Sequence, residues 1–180
     1  TTCPHASSMD YQTMRTSCVI AKNLEGHHPG QADPWARVST QLEEILSECI
    51  VEAEMARAAL FIIDKSPSQI FEPSQSRRLY GAMDALGRII DKISDHPESP
   101  AKSGGTWKEF ANQLGDILHQ CSVDSEAAKS SLTALIEDAV KLLRGREARL
   151  FEGAIQSVWR ISDIVTTALD EDAEDAEADE

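Results

Sequence analysis

Apolar side chains recur every three or four positions through most of the chain, and no convincing segment alternates apolar and polar residues as a strand does. The longest run of this helical pattern covers residues 35–63. Asp33 and Pro34 stand directly before it, and these residue types favour the N-cap and the first turn of a helix. The pattern therefore predicts one long amphipathic helix that starts at this pair.

Shorter segments with the same periodicity predict four further helices. They cover residues 76–94, 107–121, 125–143 and 147–169. Thr106 and Glu109 have the spacing of a capping box, in which two side chains satisfy backbone N–H groups at a helix start. A shorter helix is expected at residues 9–22, with Tyr11, Met14, Cys18 and Ala21 on one side. The joint at 144–146 contains Gly145 and permits an antiparallel hairpin or one bent, continuous helix.

Polar loops with Pro or Gly separate these segments, and no internal repeat is evident. The sequence predicts an all-α fold, a bundle of five or six amphipathic helices. Residues 1–30 form a partly helical N-terminal segment in this interpretation, and residues 31–169 form the bundle domain. Residues 170–180, "DEDAEDAEADE", carry no apolar face and are expected to form a disordered acidic tail.

The charge is distributed unevenly along the 180 residues. Eight acidic residues lie in the last eleven positions, and removing them from the net charge of −14 leaves −6 for residues 1–169. A mildly acidic body disfavours nucleic acid as a partner, because phosphate binding needs clustered Lys and Arg. We expect no membrane span, since no apolar stretch of about 18 residues occurs. The absence of a signal-like run and of a glycosylation sequon favours the cytoplasm or nucleus over secretion.

The four cysteines permit two interpretations. Cys18, Cys49 and Cys121 fall on the apolar sides of their predicted helices, which is typical of small buried thiols. The alternative is a disulfide framework, because an even number of cysteines can pair. A chain with a large aliphatic core does not require such cross-links.

Metal binding has weak candidates near the N-terminus. Cys3, His5, His27 and His28 are of the types that bind Zn²⁺, but their spacing matches no recognised ligand pattern. Asp116 and His119 resemble half of a di-iron motif, with Asp in place of the usual Glu. We therefore predict no metal and no cofactor.

Motifs for catalysis are not found either. The chain has no nucleophile elbow, no phosphate-binding loop and no dinucleotide fingerprint. "KSGGT" at 102–106 is explained by the N-cap role of Thr106. The sequence therefore favours a non-enzymatic protein.

The densest positive cluster surrounds the joint at 144–146. It consists of Lys141, Arg144, Arg146 and Arg149. The simpler explanation is a solvated turn with cations near a helix C-terminus, where the helix dipole favours them. The sharper hypothesis is a docking site for an anionic partner or for the chain's own acidic tail, which would mask it.

These observations favour a helical protein–protein interaction or assembly module with an acidic regulatory tail, and they are compatible with self-association. The stripe of residues 35–63 is long enough to leave a groove or dimer face, unless the shorter helices cover it completely. One alternative is a secreted, disulfide-linked four-helix ligand or effector, and the other is a metal- or small-molecule-binding bundle. A helical subunit of a larger viral or organellar assembly is indistinguishable from the first interpretation.

Overall fold

The structure, a computed structural model, describes residues 33–66 and 70–177, with side chains as far as Leu169. Six helices lie in these ranges: α1 (Pro34–Asp64), α2 (Pro73–Ser94), α3 (Pro100–Ser103), α4 (Trp107–Thr133), α5 (Ile136–Leu142) and α6 (Gly145–Glu177). The described ranges contain no strand, so the predicted all-α bundle is confirmed. The expected helix at 9–22 lies outside them.

The residues that were predicted to start two of the helices form hydrogen-bonded N-caps in the structure. The Asp33 carboxylate accepts a hydrogen bond of 3.0 Å from the backbone N–H of Trp35, with Pro34 in the first turn of α1. Thr106 and Glu109 form the reciprocal capping box at the start of α4. Each cap satisfies a backbone donor that the first turn of a helix leaves without a partner.

The four long helices, α1, α2, α4 and α6, form an up-down-up-down bundle. α1 and α6 are antiparallel neighbours, because Ser66 meets Glu147 at one end and Glu52 meets Arg160 further along. The pairs Arg78–Ala134 and Arg88–Asp124 show that α2 and α4 are antiparallel. The pairs Glu126–Ser162 and Lys129–Trp159 show the same for α4 and α6. α1 also packs against α4 across the bundle. The connections that give this topology contain the short helix α3 between α2 and α4 and the short helix α5 between α4 and α6.

The core is mostly aliphatic, as a chain with few aromatics requires. Large side chains with almost no exposed surface come from each long helix, among them Leu60, Leu86, Leu118 and Ile161. Alanines such as Ala53 and Ala82 are fully buried and let neighbouring helices approach closely. Burying an aliphatic side chain of Leu or Ile size contributes about 1.5–3 kcal/mol, so this core is the main stabilising feature of the fold.

The predicted break between residues 121 and 125 is wrong, because α4 runs through it without interruption. Asp124 does not end the helix there, since its carboxylate pairs with Arg88 of α2. Ser125 donates its hydroxyl hydrogen bond to the carbonyl of Ser122, within the same helix. The Asp124 side chain is therefore not available to compete with the backbone ladder of α4, and the local Ser125 bond is accommodated within the continuous helix.

The second half of the predicted 125–143 helix is instead the separate α5. α4 ends at Thr133, and the Arg78 guanidinium donates a 2.9 Å hydrogen bond to the carbonyl of Ala134. Carbonyls at a helix C-terminus lack partners within the helix, and this contact satisfies one of them. Gly145 then adopts a φ of +54°, so the chain turns at the predicted joint and does not continue as one bent helix.

α6 extends to Glu177, whereas the predicted boundary between the bundle and the tail is at residue 170. Five of the eight residues at 170–177 are Glu or Ala, which are good helix formers, and the other three are Asp. Residues 178–180 and the side chains from 170 onward lie outside the described part. No helix in the part of the chain that the structure describes is both long and apolar enough to cross a membrane.

Candidate protein-docking surface

Apolar side chains occupy two opposite faces of α1. The face toward the bundle buries Leu46, Cys49, Ala53, Ala56, Leu60 and Ile63. On the opposite face, Val51, Met55 and Ile62 are 52%, 51% and 42% exposed, and Ala58 between them is exposed as well. We call Val51, Met55, Ala58 and Ile62 the outer stripe. A helix that packs only into its own bundle carries polar residues on this side.

The outer stripe follows from the sequence "ECIVEAEMARAALFIIDK" at 48–65. Its members are separated by four, three and four residues, which places them on one side of a helix with 3.6 residues per turn. The core residues of α1 have the same spacing but are offset by about half a turn. Contiguous exposed apolar surface of this kind marks interaction sites in soluble proteins.

A groove of about 480 Å³ lies between the outer stripe and α2. Its apolar wall is formed by Ala58, Phe61 and Ile62 of α1 together with Met83 and Ile90 of α2, and Glu54 and Arg57 add charge. Phe61 is half exposed, and Met83 and Ile90 are partly buried. Flexible methionine and an accessible aromatic ring suit a surface that receives another protein's side chains.

Both ends of the outer stripe are charged. Glu48 is exposed one turn before Val51, and Lys65 is exposed just after Ile62. The Lys65 ammonium lies 3.0 Å from the Asp64 carboxylate and 5.4 Å from the centre of the Phe61 ring. The hydrogen bond with Asp64 raises the pKa of Lys65, so the ammonium stays protonated and forms an ion pair with Asp64. The outer stripe thus lies between the exposed Glu48 carboxylate and the Lys65–Asp64 ion pair.

The four residues of the predicted basic cluster are each exposed. Lys141, Arg144, Arg146 and Arg149 surround the joint between α5 and α6. Val140 is 74% exposed beside them. Leu142, which the sequence pattern placed on the apolar side of the predicted 125–143 helix, is 42% exposed. Arg144 donates to the carbonyls of Val140 and Leu143, at 3.1 and 2.7 Å. Arg144 therefore has the C-terminal capping role of the simpler explanation.

The acidic tail starts at the far end of α6 from this cluster. Asp170 follows Arg146 by 24 positions, which corresponds to about 36 Å along a helix axis. Eleven fully extended residues span at most about 40 Å. The tail of the same chain would have to leave the helix and stretch completely to reach the cluster, so masking within one chain is geometrically unfavourable.

Two cysteines belong to the core. Cys49 of α1 and Cys121 of α4 are free and fully buried. Burial raises the pKa of each thiol from 9.0 to about 12, and the acidic side chains nearby add to the effect. Thiols held in the protonated form are poor nucleophiles and poor metal ligands. The other two cysteines lie outside the described residues.

Metal-ligating side chains do not converge in the described ranges, where no group of three or more His, Cys, Asp and Glu could hold an ion. Asp116 and His119 are exposed on α4, and Glu52 pairs with Arg160 at 3.3 Å. The weak zinc candidates Cys3, His5, His27 and His28 lie outside the described part of the chain.

Two buried carboxylates have structural partners. Asp124 bonds Arg88 between α2 and α4, and Glu52 bonds Arg160 between α1 and α6. Each pair fixes the rotation of one helix against its neighbour, because a buried carboxylate must keep its partner. These pairs explain acidic residues that point inward without invoking catalysis.

The outer stripe was missed by sequence reasoning, which identified only the apolar row of residues 35–63 that contains Cys49, Ala53 and Leu60. From Cys49 onward that row is buried in the structure, so the other helices cover it. The signal was nevertheless present, since Val51, Met55 and Ile62 form a second apolar row on a helix that already has a complete one.

Comparison with known proteins gives no relative. A scan against protein-family models and searches of curated proteins and of solved structures found no match.

Proposed function

We propose that this chain is a non-enzymatic helical protein–protein interaction module whose docking surface is the outer stripe of α1 with the adjoining groove. The observation that carries the proposal is the exposure of Val51, Met55 and Ile62 in one row on the helix that also builds the core. Leaving such surface in water is unfavourable by roughly 25 cal/mol per Å², and a partner that covers it recovers this free energy.

The chemistry of the surface indicates what it binds. An apolar row with half-exposed Phe61 and a charged border resembles the acceptor side of helix-in-groove recognition. The matching ligand is an amphipathic helix with apolar residues at positions i, i+3, i+4 and i+7. A small molecule fits less well, because the groove is open and offers only Glu54 and Arg57 as polar groups.

A second surface supports the same function. Val140 and Leu142 are exposed among Lys141, Arg146 and Arg149, a combination that suits an acidic partner segment with apolar residues. In this proposal the acidic tail regulates the cluster between chains, because the tail of the same chain starts about 36 Å away along α6. Deleting residues 170–180 should then leave the binding of an acidic peptide by isolated, dilute chains unchanged.

Site-specific photo-crosslinking tests the main surface. A benzophenone amino acid replaces Met55 in the full chain, and a matched chain carries it at Val123, which is equally exposed on α4. The proposal expects the probe at position 55 to capture a protein, either this chain or another, much more efficiently than the probe at position 123. Equal, background-level capture at both positions would contradict it.

A further inference from the structure

The outer stripe and its two charged ends follow a single heptad register. Its members, separated alternately by three and four residues, are Glu48, Val51, Met55, Ala58, Ile62 and Lys65. This spacing is that of the a and d positions of a coiled coil. All six side chains are exposed, and the core residues of α1 occupy other heptad positions. α1 thus presents a complete seam to an external helix.

The residues along this seam complement those of a second copy of the seam that runs in the opposite direction. A second α1 laid antiparallel, with its midpoint between Met55 and Ala58, places Met55 opposite Ala58 and Val51 opposite Ile62. The same register places Glu48 opposite Lys65 at both ends. Antiparallel coiled coils bring a positions against d positions in this manner, so spacing, size and charge agree on one register.

A parallel arrangement of two α1 helices lacks this agreement. It would place Glu48 against Glu48 and Lys65 against Lys65, and like charges in register disfavour association. The antiparallel arrangement has two-fold symmetry, so each contact occurs twice and the interface closes on two copies. The charge order therefore selects both the orientation and the number of chains.

Side-chain sizes and contacts permit the pairing. Met55, which is flexible, meets the small Ala58, so the centre can close without two bulky residues colliding. Phe61 flanks the seam with half of its surface exposed and adds apolar area. The Lys65 ammonium is held by Asp64 at 3.0 Å, but its side chain is 62% exposed and its three donors allow a second carboxylate to bind.

We propose that two copies of this chain form a symmetric dimer through antiparallel α1 helices, with Glu48 of each copy facing Lys65 of the other. The inference rests on the proposed function, because it names a second copy as the partner of the docking surface. Crosslinks from position 55 to a different protein alone would leave the proposed function standing and overturn this inference.

Charge exchange tests the pairing by sedimentation velocity of the full chain over a range of concentrations. Glu48→Lys and Lys65→Glu each create two like-charge contacts and should weaken self-association about tenfold. Mixing the two variants restores both attractive contacts and should give a heterodimer as strong as the unsubstituted dimer. Combining both changes in one chain should restore the homodimer. Circular dichroism checks that each variant is folded.

The register is tested by disulfide formation in chains carrying Cys3→Ser and Cys18→Ser, which leave the buried Cys49 and Cys121 as the native thiols. A mixture of Val51→Cys and Ile62→Cys chains should form a mixed disulfide on mild oxidation, and Val51→Cys alone should not. A chain that stays monomeric at all concentrations would overturn the inference. So would charge variants that associate as tightly as the original, or a disulfide between two Val51→Cys chains.

Discussion

Arg88 of α2 and Asp124 of α4 are joined by a 2.7 Å contact between Nε and Oδ1, and the aspartate side chain is only 5% exposed. The Oδ2 atom of Asp124 has no hydrogen-bond partner among the described residues. The arginine is therefore the main compensation for a carboxylate held between two helices, while its own side chain remains half exposed.

Removing the arginine alone should cost more than removing both partners. Arg88→Met leaves Asp124 buried without its partner, and we expect a loss of about 2 kcal/mol in the free energy of unfolding. The double variant Arg88→Met/Asp124→Leu should recover most of that loss, since no unpaired charge is left. Urea unfolding measures all three chains. A double variant that is less stable than Arg88→Met would show that the pair does not behave in this way.

Glycines of α6 should respond oppositely to alanine. A Cβ at Gly153 would meet nothing within 4 Å, so Gly153→Ala should raise the free energy of unfolding by about 0.5–1 kcal/mol through helix propensity. Gly145 has a φ of +54°, where a Cβ is strained, so Gly145→Ala should lower it by about 1 kcal/mol. Thermal unfolding compares the two, and shifts of the same sign would contradict this account of the joint.

The core thiols should be almost inert in the folded chain. Burial raises the pKa of Cys49 and Cys121 from 9.0 to about 12, so their thiolate fraction at pH 8 falls about a thousandfold. Ellman's reagent should therefore modify both only after unfolding in urea. The Cys3→Ser/Cys18→Ser chain isolates their signal, and rapid modification without urea would contradict the burial.

The contact between α4 and α6 should depend on pH. The Ser162 hydroxyl donates a 2.6 Å hydrogen bond to Glu126, and this bond, followed by Lys129, lowers the pKa of the carboxyl below 4.5. A carboxyl whose pKa is lower in the folded chain than in the unfolded chain stabilises the fold at pH values above its unfolded-state pKa. This stabilisation is lost as the pH falls through the folded-state pKa. Ser162→Ala should therefore cost about 1 kcal/mol near pH 7.

That cost should shrink as the pH falls below 4.5 and through the lowered pKa of Glu126, because the carboxylate that accepts the hydrogen bond is then protonated. Urea unfolding of both chains at a series of pH values measures the difference. A cost that stays constant from pH 7 to pH 3 would show that the hydroxyl acts without the carboxylate.

Local signals in the sequence predicted much of the fold. Asp33 with Pro34 and Thr106 with Glu109 marked two helix starts correctly, because capping depends on residues that are adjacent in the chain. The wrongly predicted helix break near Asp124 arises because the interaction that matters there is not local. Its carboxylate is satisfied by an arginine 36 positions away, and a local pattern contains no information about that partner.

The docking surface was predictable only in outline. The apolar stripe that indicated a groove or dimer face is covered by the bundle from Cys49 onward, and the exposed residues belong to a second row on the opposite side of α1. Which row is exposed depends on where α2 and α6 pack. The concentration of basic residues around the joint at 144–146 is a property of the sequence, and its role as a docking site stays a proposal. Its exposed apolar neighbours Val140 and Leu142 became evident only because α5 buries little more than Ala139.

Hydroxyl-radical footprinting of Met55 tests most directly whether the outer stripe is a docking surface. The side chain is about half exposed in the isolated chain, so dilute purified protein should be oxidised readily there. In cells that express the chain, the account predicts that Met55 is protected, while the partly exposed Trp107 is labelled equally in both samples. Equal oxidation of Met55 in the cell and in dilute solution would contradict it.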